Sequence, residues 1–306
     1  MTGIAGSVMA EPGAYEKLFT TLTRASHKDY IDLESFLPWG EGVDRRLPPK
    51  AMDQLWIYGT PYFDALTDEQ RLEVAWLETA RDASMFIHLE HVIPPVYTGY
   101  VHDYREDLDR TVYEYLMIFS REELTHIMAF QRFLKSAGLP WYKRPGSYAD
   151  LSASLPKMRP ELGILFTLMI EWTAELAVMH ATQFDGVDKL TRSLFHAHHR
   201  EEARHIAFGK AVGQGFFERA PAEEAAAVRA HLGSLLSGLI PVFNFNPEIA
   251  AYTSFRFPIQ PTDEAAIRAV QHSRHNHDLN AVRFKELFTW CEGLGIPTPL
   301  DAAGNA

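Results

Sequence analysis

Two copies of the motif Glu-Glu-x-x-His constrain the fold of this chain more than any other feature. The first copy spans Glu122–His126 and the second spans Glu201–His205. In each copy the second glutamate and the histidine lie three positions apart, so both side chains project from one face of an α-helix. The sequence therefore predicts two helices, each of which presents a carboxylate and an imidazole to the same side.

A lone glutamate among apolar residues precedes each motif by roughly the length of one helical hairpin. Glu90 precedes the first motif and Glu171 precedes the second. A carboxylate on the buried stripe of a helix is costly unless another group pairs with it. Helix bundles build a two-metal site from one glutamate on each of two helices and a Glu-x-x-His motif on each of the other two. We therefore predict an all-α, ferritin-like four-helix bundle core around two metal ions.

Glu175 and His198 extend this candidate set. Glu175 lies one turn after Glu171 on the same face, so it either competes with Glu171 or supports a ligand from outside. His198 lies one turn before Glu202, where it is either a third histidine ligand or a hydrogen-bond donor to a nearby carboxylate. The residues alone leave both alternatives open.

Glu122 and Glu201 come directly before the inward-facing glutamates and project to another side of their helices. Solvent exposure is the ordinary expectation for such residues. The alternative is that each accepts a hydrogen bond from the outer ring N–H of a metal-bound histidine, Glu122 from His205 and Glu201 from His126.

Charge and composition exclude several classes of function. The net charge is −11 at pH 7 with no basic stripe, which argues against a nucleic-acid partner. The single cysteine, Cys291, excludes an internal disulfide and a thiolate metal cage, and it fits a reducing cytoplasm. The N-terminus lacks the pattern of a secretory signal, and uninterrupted apolar runs such as Leu162–Phe166 are too short to span a bilayer. We expect a soluble, cytoplasmic protein with no membrane partner.

Proline, glycine and apolar periodicity predict one domain over residues 1–306, with additional N- and C-terminal helices. The four core helices are expected within residues 66–215, and a long crossover at 138–158 joins the two halves, as in ferritin-like bundles. The remaining expected segments are a loose arm at 1–13, a helix at about Tyr15–Ala25, an aromatic turn at Val96–Tyr104, and helices near Ala222–Leu239 and Asp263–Cys291.

The order of these residues resembles the p-aminobenzoate N-oxygenase family of di-iron proteins, the AurF and CmlI type. The resemblance covers roughly residues 66–215. It implies seven protein ligands, with His198 as the additional histidine that distinguishes the family from most ferritin-like di-iron proteins. The implied ligands are Glu90, Glu123, His126, Glu171, His198, Glu202 and His205.

The resemblance also implies an activity. Two iron ions, or manganese in their place, would use O₂ as co-substrate to convert an amine to a hydroxylamine, nitroso or nitro product, in a secondary-metabolic role. No catalytic residue beyond the metal ligands is implied. The electrons would come from an external ferredoxin or reductase, and a homodimer is the default assembly.

Other uses of a two-metal bundle remain as alternatives. A di-iron oxidase that hydroxylates, desaturates or cleaves at carbon would use the same ligand types. A ferroxidase is disfavoured because the crossover is long and the chain exceeds a bare bundle. A ribonucleotide-reductase-like radical subunit has a tyrosine one turn after the first motif histidine, whereas this chain has Phe130 there.

Overall fold

A computed structural model describes residues 15–146 and 148–299, and every regular element in these ranges is helical. The arm expected at residues 1–13 lies outside the described part of the chain. The helices are α1 (Glu16–Lys28), α2 (Pro61–Asp64), α3 (Asp68–Glu90), α4 (Ile93–Asp103), α5 (Arg110–Ser136), α6 (Tyr148–Ser154), α7 (Pro160–Thr182), α8 (Lys189–Arg219), α9 (Ala222–Leu239), α10 (Glu264–Gln271), α11 (Arg274–Arg283) and α12 (Lys285–Leu294).

Four long helices form the centre of the fold. α3 packs against α5, and α7 packs against α8, while contacts between α3 and α7 and between α5 and α8 close the bundle. α1 covers the outer side of α5 and α8, α4 lies against α5 and α7, and α9 lies along α7. The predicted all-α, ferritin-like bundle is confirmed.

Local sequence signals explain where the core helices begin and end. Thr67 and Gln70 form a capping box at the start of α3, and Asp188 caps the Thr191 N–H at the start of α8. Pro160 occupies the first turn of α7, where its missing N–H has no cost. After α5, Gly138 adopts φ 61°, a left-handed conformation that favours glycine and stops the helix.

α7 is apolar around most of its circumference, as expected for a helix enclosed by others. By length and composition alone, two segments could cross a membrane: α7, and Ala222–Ala251, which includes α9. Of the apolar 18-residue stretch of α7, 83% is buried inside the fold, so this helix is a core element. Neither segment stands out in the sequence as a long uninterrupted apolar run, because isolated polar residues divide both of them.

The predicted aromatic turn at Val96–Tyr104 is wrong, because all of this segment except its last residue, Tyr104, belongs to α4. Pro94 and Pro95 lie in the first turn of that helix instead of only ending the preceding one. Prolines are tolerated there because the first N–H groups of a helix have no intrahelical partner. Tyr97 and Tyr100 are consequently buried against the bundle.

Two further boundaries differ from the expectation. The segment predicted as one helix at Asp263–Cys291 consists of α10, α11 and α12. Ser273 caps α11 by accepting a hydrogen bond from the Asn276 N–H. An N-cap residue has a non-helical backbone conformation, so α10 ends before Ser273. The crossover also contains α6 and is therefore not wholly irregular.

Candidate metal centre

The four core helices bring the seven predicted ligands to one point inside the bundle. α3 contributes one of them, α5 two, α7 one and α8 three, and all of the side chains are buried. They form two groups, and within each group one potential ligand atom per residue lies within 4.8 Å of the others. The first group is Glu90, His126, His198 and Glu202, and the second is Glu123, Glu171, Glu202 and His205.

Two glutamates lie between the histidines of the duplicated motif. Glu202 Oε1 is 3.3 Å from His126 Nδ1 and also 3.3 Å from His205 Nδ1. Glu123 Oε1 is 3.0 Å from His205 Nδ1 and 3.6 Å from His126 Nδ1. Both carboxylates therefore lie within reach of both motif histidines, and Glu202 also belongs to both groups.

The structure separates the roles of Glu171 and Glu175. Glu171 belongs to the second ligand group, whereas Glu175 faces two histidines of α8 from outside it. Glu175 Oε2 lies 3.2 Å from His198 Nδ1, and its Oε1 accepts from His199 Nδ1 at 2.7 Å. The other nitrogen of His198, Nε2, is 2.9 Å from Glu90 Oε1, on the inner side. Glu175 thus orients the His198 ring toward the centre.

Buried atoms without hydrogen-bond partners show that these residues fit a metal. Both carboxylate oxygens of Glu123 and of Glu202, and the Nδ1 atoms of His126 and His205, lie close to one another but make no hydrogen bond of acceptable geometry among the described residues. Buried polar atoms without a partner are costly, and a cation would satisfy all of them together. Imidazole and carboxylate donors suit iron and manganese, and they do not select strongly between the two.

An outer layer of carboxylates fixes the histidine rings. Glu122 Oε2 accepts from His205 Nε2 at 2.9 Å, and Glu201 Oε2 accepts from His126 Nε2 at 2.7 Å. These are the reciprocal contacts that the sequence left as an alternative to solvent exposure. Because the outer nitrogen of each ring is held by an acid, the Nδ1 atoms face the centre.

Each outer acid is in turn held by a group that the sequence analysis did not identify. Arg204 Nη2 donates to Glu122 Oε1 at 3.0 Å, and the Ile31 N–H donates to Glu201 Oε1 at 2.7 Å. Arg204 lies inside the second motif, but its partner lies on another helix. A backbone N–H such as that of Ile31 carries no sequence signal.

Burial and charge set different protonation preferences for the acids. Burial opposes ionisation of Glu122, but the His205 hydrogen bond and the charges of His205 and Arg204 lower its pKa to about 2. Burial raises the pKa of Glu90 to about 7 against the effect of His198, and it raises the pKa of Glu171 well above the usual range. Glu122 is therefore anionic at neutral pH, whereas Glu90 and Glu171 need a nearby cation to ionise fully.

A family model described as P-aminobenzoate N-oxygenase AurF matches residues 12–295 of the chain. The chain belongs to the AurF family. The match extends well beyond the four helices that carried the resemblance in the sequence, so the outer helices are also part of the family fold. A search of curated proteins finds no match. As a member of the AurF family, the protein is an oxygenase, an oxidoreductase that acts on a small molecule.

Proposed function

We propose that the protein is a di-iron N-oxygenase that uses O₂ to oxidise an amine to a hydroxylamine, nitroso or nitro product. The observation that carries this proposal is the pair of ligand groups that share Glu202, within a chain of the AurF family. The proposed ligands are the seven residues of these two groups, with His198 as the third histidine. Bound iron would supply the redox chemistry with O₂, and the protein would supply binding and orientation.

The side chains around the centre are suited to keeping water away. The Phe119 ring stacks on the His205 ring with 3.6 Å between centroids, and the rings of Phe86 and Phe130 lie 4.6 and 5.0 Å from the His198 ring. Such an apolar shell lowers the local dielectric constant and limits unproductive reactions of an oxidant with solvent. Glu122, Glu201 and Glu175 hold the outer nitrogens of the three imidazoles, so the inner nitrogens would be free to donate to bound iron.

The decisive experiment combines metal content with product analysis. The protein is reconstituted with Fe(II), iron is counted per chain, and the reduced protein is exposed to ¹⁸O₂ with a panel of aryl and alkyl amines. We expect about two irons per chain and ¹⁸O on the nitrogen of at least one amine. Label on carbon instead would support the alternative of a carbon-oxidising di-iron enzyme. Iron oxidation that is indifferent to every amine would support a ferroxidase.

His198→Ala tests the third histidine ligand. We expect the variant to fold and to lose or weaken one metal, because its Nε2 faces Glu90 and Glu202. His196→Ala, an exposed position on the same helix, is the matched control. Unchanged metal content and O₂ reactivity in His198→Ala would exclude this residue from the ligand set.

A further inference from the structure

The outer carboxylates connect the candidate metal centre to one particular surface of the protein. A cavity of about 420 Å³ lies over Glu122 and Glu201 and is lined further by Tyr30, Arg121 and Thr125. From His126, hydrogen bonds continue through Glu201 to the Ile31 N–H, next to Tyr30. The centre is therefore only one carboxylate away from the floor of a surface cavity.

A second chain of contacts ends at the same place. From His205, the contacts continue through Glu122, whose Oε1 lies 3.4 Å from Arg121 Nη2. The Arg121 guanidinium lies 5.7 Å from the centroid of the Tyr30 ring. Both histidines of the duplicated motif are thus linked to one exposed Tyr30–Arg121 pair. The third histidine, His198, is connected through Glu175 to the half-buried His199. Only one chain of contacts among the described residues leads there, whereas two lead to Tyr30 and Arg121.

Apolar side chains surround this point on the exposed side of α5. Met117, Leu124 and Met128 are 45%, 51% and 47% exposed, and with Arg121 they recur at the spacing of one helix face. We call this set, together with Tyr30, the α5 face. Tyrosine, methionine and arginine are the residue types that are enriched at protein–protein interfaces.

The charge of the α5 face differs from that of the whole chain. After Glu114, the charged side chains of α5 that are not buried are the exposed Arg121 and Lys135 and the half-buried Arg132, whereas the chain as a whole has a net charge of −11. The neighbouring loop adds Asp32 and Glu34, and Glu34 pairs with Arg132 at 3.2 Å. Three cations against two anions leave this region with a net charge of about +1, so an acidic partner would be repelled less here than by the chain as a whole, which favours one docking orientation.

We propose that the α5 face is the docking site of a small acidic electron-transfer protein of the ferredoxin type, which supplies electrons to the metal centre. This proposal rests on the proposed di-iron function. Electron transfer through protein declines steeply with distance, and the two hydrogen-bonded routes make this face a short entry path. Two reduced donors each lose one electron, two ferric ions each gain one, and no bond is formed or broken. Encounters of this kind bury little area, roughly less than 1,200 Å² in total.

Leu124→Glu tests the proposal without touching any contact of Glu122 or Glu201. The iron-loaded, oxidised protein is mixed anaerobically with a reduced plant-type [2Fe–2S] ferredoxin in a stopped-flow instrument. At low ionic strength we expect Leu124→Glu to slow reduction at least tenfold and Leu124→Lys to maintain or increase the wild-type rate. Added salt should lower the wild-type rate, because screening weakens the attraction.

Two controls make the outcome specific. Val282→Glu places the same charge at a position on α11 that is 71% exposed, and it should leave the rate unchanged. Dithionite should reduce all of the variants equally, which shows that the metal centre is intact.

Calorimetric titration of oxidised ferredoxin into the metal-free protein should show tenfold weaker binding for Leu124→Glu, so docking is tested even if no iron is retained.

Three results would overturn the proposal. The first is an unchanged ferredoxin rate and affinity in Leu124→Glu. The second is an equal loss in Val282→Glu, which would indicate a general charge effect. The third is sedimentation showing that the wild-type protein is a dimer and that Leu124→Glu converts it to a monomer, since the face would then hold a second copy of the chain.

Discussion

At the scale of single residues, the outer acids fix the orientation of the histidines that we propose as metal ligands. Glu201 accepts from both His126 and the Ile31 N–H, so it joins the centre to the loop before α2. Its loss removes the group that fixes the orientation of the His126 ring. Partners of this kind affect metal affinity although they never touch the metal.

We expect Glu201→Gln to weaken metal binding by about 10- to 100-fold while the fold is retained. The amide cannot supply the negative charge that makes the imidazole a better donor. Competition with a coloured chelator gives the affinity directly. Glu218→Gln, an exposed position on the same helix, serves as the control. Equal metal affinities in the two variants would contradict the role given to Glu201.

A separate buried charge cluster should make stability depend on pH. Glu78 lies 3.9 Å from Lys50, which also pairs with Asp82, and all three side chains are buried. Burial raises the pKa of Glu78 to about 7, although Lys50 opposes this. Because the pKa is higher in the folded state than in the unfolded state, the stabilising contribution is complete below about pH 4.5 and is lost as pH rises to about 7.

Glu78→Gln should therefore raise the free energy of unfolding relative to wild type more at pH 8 than at pH 5. The upper bound on this difference is about 3 kcal/mol, since each unit of pKa shift corresponds to about 1.4 kcal/mol. Urea unfolding at both pH values measures it. Parallel pH dependences of the two proteins would show that Glu78 ionises normally in the fold.

Residue patterns predicted the positions that meet at the centre, because Glu-x-x-His spacing and apolar context are local properties of the sequence. They did not predict Arg204 or Ile31, whose partners lie on distant segments. They also gave no reason to expect the Lys50–Asp82 pair, since Lys50 lies in an irregular segment before α2. Contacts across the fold require the packing of the helices, which no single segment encodes.

At the scale of elements, close helix packing depends on particular glycines. A Cβ at Gly163 on α7 would lie 1.8 Å from Tyr100 Oη on α4. That hydroxyl donates to Leu155 O at 2.7 Å, so the ring cannot move without losing a buried hydrogen bond. At Gly99 on α4, a Cβ would meet nothing within 4 Å.

We expect Gly163→Ala to destabilise the protein by about 1–3 kcal/mol through overpacking. Gly99→Ala is the matched control on the facing helix, and it should be neutral or stabilising by up to about 1 kcal/mol, because alanine favours helix. Denaturant midpoints of the two variants decide the matter. If Gly163→Ala were as stable as Gly99→Ala, α4 and α7 would have to separate more easily than their packing indicates.

Element boundaries followed the sequence where capping and proline signals were unambiguous, as at Thr67 and Pro160. They were missed where one signal has two meanings. Pro94 and Pro95 can end a helix or begin one, and only the burial of Tyr97 and Tyr100 on the bundle shows that they begin α4. The division of the C-terminal segment into three helices depends on packing in the same way.

At the scale of the whole molecule, metal binding should contribute to stability. Only the folded bundle brings the two ligand groups together, so ions that bind them favour the native state. The all-α architecture followed from the duplicated motif because a two-metal centre of this type requires four helices. The arrangement of the outer helices around it did not, because their contacts with the core leave no periodic pattern.

We expect Mn(II) to raise the melting temperature of the protein and chelation to lower it again. At a free concentration of about 100 times Kd, each site would add about 2.7 kcal/mol. Glu202→Ala should show much less stabilisation, because this residue belongs to both groups. Thermal unfolding with and without Mn(II) measures the difference. An unchanged melting temperature of the wild type on addition of Mn(II) would contradict the proposed metal centre.

The reciprocal pairing of outer acids and histidines has a consequence for the integrity of the polypeptide. Glu122 accepts a hydrogen bond from His205, and Glu201 accepts one from His126. Each half of the chain, before and after the crossover, therefore orients a histidine ring of the other half. Both ligand groups also draw on residues from both sides. A protein cut between α5 and α7 would yield two fragments, neither with a complete centre. Metal binding would then require both fragments and would favour their association.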